Sequence, residues 1–187
     1  MSGGSHLDDQ GRARTVGVSG KPETPMNAGV LTVSDRVSRG EAEDRSGPRA
    51  AALLAGWGFA AEVRVVPDGV AEVEAGLRAF LAAGVALVVT TGGTGFGPRD
   101  LTPEATRRVL EREAPGLAEA MRAAAFGSNP HGMLSRGVAG IAGSALVVNL
   151  PGSVAGVEES LAVVGPALRH ACELAAGGSS EHGVESC

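Results

Sequence analysis

The sequence contains few of the residues on which many ligand-binding proteins rely. It has no tyrosine and one tryptophan, aromatic residues make up 3% of the chain, and the only lysine is Lys21. A core must therefore be built from Ala, Val and Leu, and an anionic ligand must be bound by arginines, backbone N–H groups or a metal ion. The 16 basic residues are outnumbered by 21 acidic ones, for a net charge of −5, and no basic run occurs. This balance argues against a nucleic-acid-binding surface.

Cysteines and long apolar runs are also scarce. Cys172 and Cys187 are the only cysteines, too few to form a metal site by themselves, which favours a reduced, cytosolic protein. No stretch approaches the roughly 20 apolar residues of a membrane span, and the polar N-terminal region lacks the apolar core of a signal peptide. We therefore expect a soluble, cytoplasmic protein with neither a nucleic acid nor a membrane as partner.

Between two polar ends, apolar runs alternate with helical patterns. Residues 1–25 and 178–187 are rich in Gly, Ser and charge, so we expect a disordered leader and tail around one domain at 26–177. Runs of β-branched residues predict strands, and apolar side chains spaced three and four apart predict helices. The predicted strands are 28–34, 60–66, 85–90, 138–142 and 145–150, and the predicted helices are 48–56, 70–83, 103–111, 114–125 and 154–176.

This alternation indicates an α/β fold, a mainly parallel sheet with helices on both faces in three layers. The Gly143-Ser144 dipeptide between the last two strands favours a short antiparallel hairpin. In such sheets, ligands bind beyond the carboxyl ends of the strands. Four polar segments fall at those ends: SDR at 34–36, PDG at 67–69, TTGGTG at 90–95 and NLPGS at 149–153. Their convergence predicts one binding crevice.

The segment richest in glycine reads TTGGTGFGPRDLTP, at residues 90–103. It is not a Walker A loop, because the GK[ST] ending is absent, and it is not the GxGxxG dinucleotide fingerprint. Its glycines would allow the backbone to approach a phosphate, although a structural turn explains the same composition. Asp68 and Asp100 each follow an apolar strand, where two carboxylates can share a divalent cation with substrate phosphates. A turn or a helix cap is the alternative role for each acid.

Other candidate residues have weaker support. His131, His170 and His182 are too dispersed to predict a metal site, and Cys172 is predicted to be a core residue of the last helix. Neither Ser34 nor Ser153 has the GxSxG context of a hydrolase nucleophile.

The segments LTVSDR, VPDG, TTGGTGFGPRDLTPEA and LSRGVAGIAGSALVVNLPGS follow one another in this order within residues 28–175. In them the chain resembles molybdenum-cofactor biosynthesis proteins of the molybdopterin adenylyltransferase type, which include bacterial enzymes and the related domain of gephyrin. The resemblance implies transfer of AMP from ATP to the terminal phosphate of molybdopterin, with Mg²⁺ required and pyrophosphate released. It also implies a homo-oligomer, with a trimer favoured.

By this resemblance, catalysis and magnesium binding fall on Asp68 and Asp100. Substrate contacts fall on the loop after the first strand, on the glycine-rich segment and on the segment before the last helix: Ser34, Asp35, Thr91, Gly92, Gly93, Thr94, Gly95, Asn149, Pro151, Gly152 and Ser153.

Several alternatives remain open within the same resemblance. A paralogue that binds the pterin without adenylylating it, an oligomeric scaffold and a nucleotide pyrophosphatase-like relative would share the fold. Retention of both acids favours the enzyme. Because the domain has no lysine, the nearest cationic side chains for substrate phosphates are Arg36, Arg99 and Arg136.

Overall fold

The structure, a computed structural model, describes residues 24–178. Residues 1–23 and 179–187 lie outside this range, so the disordered leader and tail remain predictions. Within the described residues, no helix is both long and apolar enough to cross a membrane. The strands are β1 (Met26–Val33), β2 (Phe59–Val66), β3 (Leu87–Thr91), β4 (Arg112–Glu113), β5 (Ala139–Ala142) and β6 (Ala145–Leu150). The helices are α1 (Asp35–Ser38), α2 (Ser46–Gly56), α3 (Val70–Ala82), α4 (Thr102–Arg107), α5 (Pro115–Ser128) and α6 (Val154–Ala175), with a 3₁₀ helix at Pro130–Leu134.

The six strands form one sheet in the order β2-β1-β3-β6-β5-β4. β1 pairs in parallel with both β2 and β3, and β3 pairs in parallel with β6. β5 and β6 form the predicted antiparallel hairpin, and its turn contains Gly143 at φ +58°. In the sheet, β2 lies on one side of β1 and β3 lies on the other. The strand order therefore reverses at β1, and a ligand crevice is expected at such a switch point.

Successive side chains of each strand point to opposite faces of the sheet, so the hydrophobic core is divided between the two faces. In β1, Val30 packs with residues of α2, α5 and α6, whereas Leu31 packs with residues of α3 and α4. Val89 and Val88 of β3 divide in the same way. The predicted α/β class with helices on both faces is confirmed. Cys172 of α6 is buried, as predicted, and burial raises the pKa of its thiol to about 12.

The segment between the glycine-rich loop and α5 differs from its prediction. The helix predicted over 103–111 ends at Arg107, and Arg112–Glu113 forms an edge strand that no pattern predicted. The Glu111 N–H donates to the carbonyl of Ile141, and this bond directs the chain into the sheet. Two exposed charged residues have no apolar alternation, so the sequence carries no signal for this strand.

Gly29 in β1 leaves room for the buried ring of Phe80 from α3. A Cβ on Gly29 would lie 2.5 Å from two atoms of that ring. We expect Gly29→Ala to lower the free energy of unfolding by about 1–3 kcal/mol, because the ring must move out of a packed position. Urea unfolding followed by the fluorescence of Trp57, the only tryptophan, measures this loss.

Gly116→Ala in α5 is the matched control. Among the described residues, no atom lies within 4 Å of a Cβ built on Gly116. This substitution is expected to be neutral or to stabilise the protein by about 0.5–1 kcal/mol, because alanine favours the helix. Equal losses in the two variants would contradict the packing explanation for Gly29.

Candidate functional site

The four polar loops predicted to converge do meet at the carboxyl edge of the parallel strands. Two cavities open there. One, of about 450 Å³, lies between the ends of β1 and β3, at the switch point of the sheet. The other, of about 580 Å³, lies between α5, the 3₁₀ helix and the start of α6. Some residues of the glycine loop, defined as residues 92–101, line each cavity.

The cavity at the switch point is lined by four acids, and we call it the acidic cavity. Its acids are Glu43, Asp44, Asp68 and Asp100, and its one basic side chain, Arg45, is bound to Glu43 at 3.1 Å. Ser34, Thr91, Gly92, Gly93 and Gly152 also line it. Its charge is therefore negative, which favours the entry of an anionic ligand together with a cation.

The second cavity is lined mainly by apolar groups, and we call it the apolar cavity. Ala118, Met121, Ala125, Leu134 and Phe96 contribute to its lining. Its charged residues are Arg122 and Glu159, with His131 at the edge contributed by the 3₁₀ helix. Of the predicted site residues, Thr94, Gly95, Asn149, Pro151 and Ser153 line this cavity.

A wall of backbone separates the two cavities. Gly92 has φ +101°, and a Cβ on it would lie 2.4 Å from the carbonyl oxygen of Val33. A Cβ on Gly152 would lie 3.1 Å from the Cα of Gly92. Only glycine permits this approach of the loops that follow β1, β3 and β6. The wall therefore presents backbone, with little side-chain bulk, to ligands on either side.

The carboxylate of Asp100 lies over the other glycines of the loop. Its Oδ2 accepts a hydrogen bond of 2.8 Å from the Gly97 N–H. A Cβ on Gly95 or Gly97 would lie 2.9 or 2.8 Å from the same oxygen. These glycines make space for the acid, which lines the acidic cavity. The helix α4 begins with no side-chain cap, and the hydroxyl of Thr102 in its first turn donates to the carbonyl of Gly92.

The carboxylates of Asp68 and Asp35 each accept a hydrogen bond from the backbone N–H of the other residue. The Asp35 N–H donates to Asp68 Oδ2 at 2.7 Å, and the Asp68 N–H donates to Asp35 Oδ1 at 3.1 Å. Within residues 24–178, no hydrogen bond reaches Asp68 Oδ1, and Asp68 lines the acidic cavity. Asp35 lines neither of the two cavities. The predicted contact of Asp35 with substrate stays a prediction, and within the protein the Asp35 carboxylate binds Arg99.

Arg99 is bidentate on Asp35. Its Nε lies 2.7 Å from Oδ2, and its Nη2 lies 3.0 Å from Oδ1. The same Nη2 also donates to the carbonyl of Asp68. Hydrogen bonding to Arg99 holds the pKa of Asp35 below its usual value. The carboxylate of Asp35 is thus already neutralised within the protein, whereas that of Asp68 is not.

Arg136 makes the equivalent contacts on the other side of the glycine loop. Its Nε donates to the carbonyl of Gly95 at 2.7 Å, and its Nη2 donates to the carbonyl of Asp100. It also forms an ion pair with Glu104 of α4. Of the three arginines considered as cationic helpers, Arg99 and Arg136 are therefore engaged by the protein. Within the described residues, the guanidinium of Arg36 has no hydrogen bond or ion pair.

The remaining predicted residues have structural contacts of their own. Asn149 is 2% exposed, and its amide donates to the hydroxyls of Thr90 and Thr106 and accepts from the Val138 N–H. It therefore connects β6 to β3, α4 and the start of β5. Three hydroxyls near the cavities bind backbone: Ser34 accepts from Val37, Ser153 accepts from Gly156, and Thr91 donates to Pro151.

Two cavity residues, Asp44 in the acidic cavity and Arg122 in the apolar one, were not predicted from the sequence. Asp44 of the acidic cavity accepts from the Thr32 hydroxyl at 2.7 Å and from the Gly47 N–H at 2.9 Å, so it connects β1 to the start of α2. The segment DRSGP, an acid before a helix start, is the signal that could have identified it. Arg122 of the apolar cavity donates to the carbonyls of Ser135 and Gly137. No motif predicted this residue.

The side chains that could bind a metal ion in the acidic cavity are a pair of acids, which a substrate would have to complement. Within residues 24–178, no group of three His, Cys, Asp or Glu side chains converges in a way that could hold a metal ion. Mg²⁺ is typically bound by one or two carboxylates together with substrate phosphates. Asp68 and Asp100 in the acidic cavity fit that description, with substrate oxygens completing the coordination.

A family model described as a probable molybdopterin binding domain matches residues 29–170. The chain belongs to this family. It is 41% identical over 167 residues to gephyrin of Dictyostelium discoideum, covering 83% of this chain and 23% of gephyrin. It is 37% identical to a molybdopterin adenylyltransferase of Helicobacter pylori, covering 81% of this chain and 89% of that enzyme. The chain thus spans a quarter or less of relatives such as gephyrin, and most of the single-domain relatives.

Solved structures of the family have the same fold. The molybdopterin biosynthesis enzyme MoaB of Thermus thermophilus is 46% identical, with a TM-score of 0.76 over 81% of this chain and 97% of that one. A tungsten cofactor synthesizing MoaB from Pyrococcus furiosus is 33% identical, with a TM-score of 0.76 over 81% and 98% of the two chains. The predicted sheet and its flanking helices are therefore those of this family.

The ion pair of Arg136 with Glu104 predicts a pH-dependent loss of stability. Arg136 lowers the pKa of Glu104 from its usual value of 4.5. A lowered pKa stabilises the fold above the usual value, and this contribution disappears as the pH falls through the lowered one. Arg136→Gln should therefore cost about 1–2 kcal/mol near neutral pH and less near pH 3, as measured by urea unfolding at each pH.

Arg107→Gln is the control for this prediction. Arg107 pairs with Glu113 at 3.3 Å, and the two side chains are 49% and 56% exposed. Such a pair contributes about 0–1 kcal/mol, so its removal should have a small effect at both pH values. A loss in Arg136→Gln that does not change with pH would contradict the assigned role of Glu104.

Proposed function

We propose that this protein transfers AMP from ATP to molybdopterin, giving adenylylated molybdopterin and pyrophosphate. The observation that carries the proposal is the pair of cavities, one acidic and one apolar, on either side of a thin backbone wall. Two substrates that react with each other must bind at adjoining sites, and two neighbouring cavities of different character suit two different substrates. Relatives named molybdopterin adenylyltransferase that match this chain along most of their length support the proposal.

The character of each cavity suggests which substrate it receives. A pterin is planar and largely apolar at its faces, and it suits the cavity lined by Met121, Ala118 and Leu134. Arg122, which lines that cavity together with Glu159, supplies one cationic side chain for an anionic part of the same ligand. The triphosphate of ATP suits the acidic cavity, provided that a divalent cation enters with it. Gly92, Gly93 and Gly152 line the acidic cavity, and their chain neighbours Thr94 and Ser153 line the apolar one, so the two ligands would approach each other at these loops.

Asp68 and Asp100 are the residues that would hold Mg²⁺ in the acidic cavity. When bound, Mg²⁺ neutralises charge on the phosphate oxygens and on the leaving pyrophosphate. Asp100 has one carboxylate oxygen bound to Gly97, and Asp68 has one bound to Asp35, so each acid is oriented by a backbone N–H. This fixed orientation reduces the reorganisation needed when charge develops in the transition state.

The reaction needs no protein base. The nucleophile is an oxygen of the terminal phosphate of molybdopterin, which is already anionic. It attacks the α-phosphorus of ATP, a new P–O–P link forms, and the bond to the β-phosphate breaks to release pyrophosphate. The task left to the protein is to align two polyanions. The glycine loop and Pro151–Ser153 would do so by binding one substrate on each side.

A direct assay tests the proposed function. The protein is incubated with ATP, Mg²⁺ and molybdopterin, and pyrophosphate and adenylylated molybdopterin are quantified. Formation of both, in equal amounts, is the expected result. Tight binding of molybdopterin without pyrophosphate release would instead identify a binding paralogue, and failure to bind either substrate would favour a scaffold.

Asp100→Asn is expected to remove turnover while the fold is retained. The amide is nearly isosteric, and its oxygen can still accept from the Gly97 N–H. Losing the negative charge weakens the cation that offsets phosphate charge, so turnover should fall by about 10²–10³-fold. Molybdopterin binding should fall much less, because the substitution lies in the other cavity. Steady-state kinetics and pterin binding measured on the same preparation separate the two effects.

Glu72→Gln is the control for Asp100→Asn. Glu72 is an exposed acid four residues from Asp68, in the first turn of α3, and it lines neither cavity. Its substitution should leave turnover unchanged. Near-normal adenylylation by Asp100→Asn would reduce Asp100 to a turn residue and remove it from the catalytic site.

We also propose that the protein acts in the cytoplasm as a homotrimer. The trimer rests on the family resemblance. The scarcity of cysteine supports the reducing compartment. Sedimentation equilibrium at micromolar concentration should give about three times the chain mass of 18.6 kDa. A species of one chain mass under those conditions would contradict the trimer.

A further inference from the structure

We infer that Arg99 is a positioning residue that sets the orientation of Asp68, acting through Asp35 and the backbone and not through substrate. This inference rests on the proposed function, because it assigns a role within the same site. The guanidinium contacts two of the loops that end at the carboxyl edge of the sheet. It belongs to the glycine loop, and it binds the side chain of Asp35 after β1 and the carbonyl of Asp68 after β2.

The geometry of the two acids explains why Arg99 has this effect. Arg99 contacts the backbone carbonyl of Asp68 but not its carboxylate. Its carboxylate is oriented by the N–H of Asp35 at 2.7 Å, and its own N–H donates to the Asp35 carboxylate at 3.1 Å. Arg99 binds both oxygens of that carboxylate. If Arg99 is lost, Asp35 loses its bidentate partner, and the reciprocal pair that orients Asp68 loosens.

Arg99 also connects the loop that contains Asp68 with the loop that contains Asp100. Asp100 is the next residue in the chain, and its carboxylate is fixed by Gly97 within the same turn. The Arg99 side chain therefore connects the loop that holds one acid to the loop that holds the other. The spacing of two acids that share one cation and one substrate must be held within fractions of an ångström. This connection provides a physical means of holding it.

The contacts of Arg99 argue against a direct phosphate contact. Its Nε and Nη2 bind Asp35, Nη2 also donates to the Asp68 carbonyl, and Arg99 lines neither cavity. The Arg99 side chain is 62% exposed, so the pair adds little to overall stability. Its removal should therefore impair the reaction without unfolding the protein.

A double-mutant cycle tests whether Arg99 acts through Asp35. Arg99→Gln and Asp35→Asn should each lower kcat by at least about tenfold, with KM for ATP changed less than about threefold. The double variant should be no worse than the poorer single variant, because both substitutions break the same contact. Losses that multiply, or a loss confined to KM for ATP, would overturn the inference and make Arg99 a substrate contact. Arg99→Lys should recover part of kcat, since an ammonium can bind Asp35 but not in a bidentate manner.

Arg39→Gln is the matched control for charge near the site. Arg39 is bidentate on Glu41 at 2.8 and 3.2 Å, is 56% exposed and lines neither cavity. It removes one positive charge from the same region without breaking the Asp35 contact. Its kcat should be unchanged, and a loss equal to that of Arg99→Gln would show that net charge alone is responsible.

Amide hydrogen exchange provides a readout that needs no substrate. The N–H groups of Asp35 and Asp68 should exchange faster in Arg99→Gln by at least about tenfold, because their acceptor carboxylates are no longer fixed. The Ser34 N–H, which donates to the carbonyl of Val66 in the backbone, is the internal reference and should not change. Unchanged exchange at Asp35 and Asp68 would overturn the inference. The wild-type protein could also fail to form adenylylated molybdopterin while exchange is still faster in Arg99→Gln. That combination would refute the proposed function alone and leave the positioning role intact.

Discussion

At the carboxyl edge of the sheet, the backbone of Gly92 passes so close to the end of β1 that a Cβ would lie 2.4 Å from the Val33 carbonyl oxygen. Gly152 approaches Gly92 from the other side in a similar way. This contact among three loops brings the ends of β1, β3 and β6 into one surface. Close packing of glycine backbone therefore forms this part of the boundary between the two cavities. Residues of these loops line both cavities, so the two cavities lie next to each other.

The distribution of charge follows from how the chain uses its arginines. Arg99 neutralises Asp35, Arg136 binds Glu104 and two carbonyls of the glycine loop, and Arg45 binds Glu43. The acids of the acidic cavity thus outnumber the cations that remain for a ligand. A triphosphate in this cavity would be repelled without a divalent cation. This local charge is consistent with the Mg²⁺ dependence that we propose.

Much of the fold could be predicted from the sequence because its signal is local. Apolar runs such as the one ending at Thr90 become buried parallel strands, and Gly143-Ser144 becomes the hairpin turn. β4 could not be predicted, since its two residues are exposed and charged and depend on pairing with β5. The location of Asp68 and Asp100 was also predictable, because both follow strands in a parallel sheet. What the sequence did not reveal were roles that depend on partners distant in the chain.

Asp35, Asn149 and Arg99 illustrate that limit. A motif places all three near the site, but only the structure distinguishes a side chain that faces a cavity from one that orients its neighbour. Asn149 has its amide satisfied by Thr90, Thr106 and Val138, and Asp35 has its carboxylate satisfied by Arg99 and Asp68. Hydrogen-bonding capacity that is already used within the protein is unavailable to substrate. Asp68, whose Oδ1 accepts no hydrogen bond within the described residues, retains such capacity in the acidic cavity, and this is why the proposed mechanism assigns it to the cation.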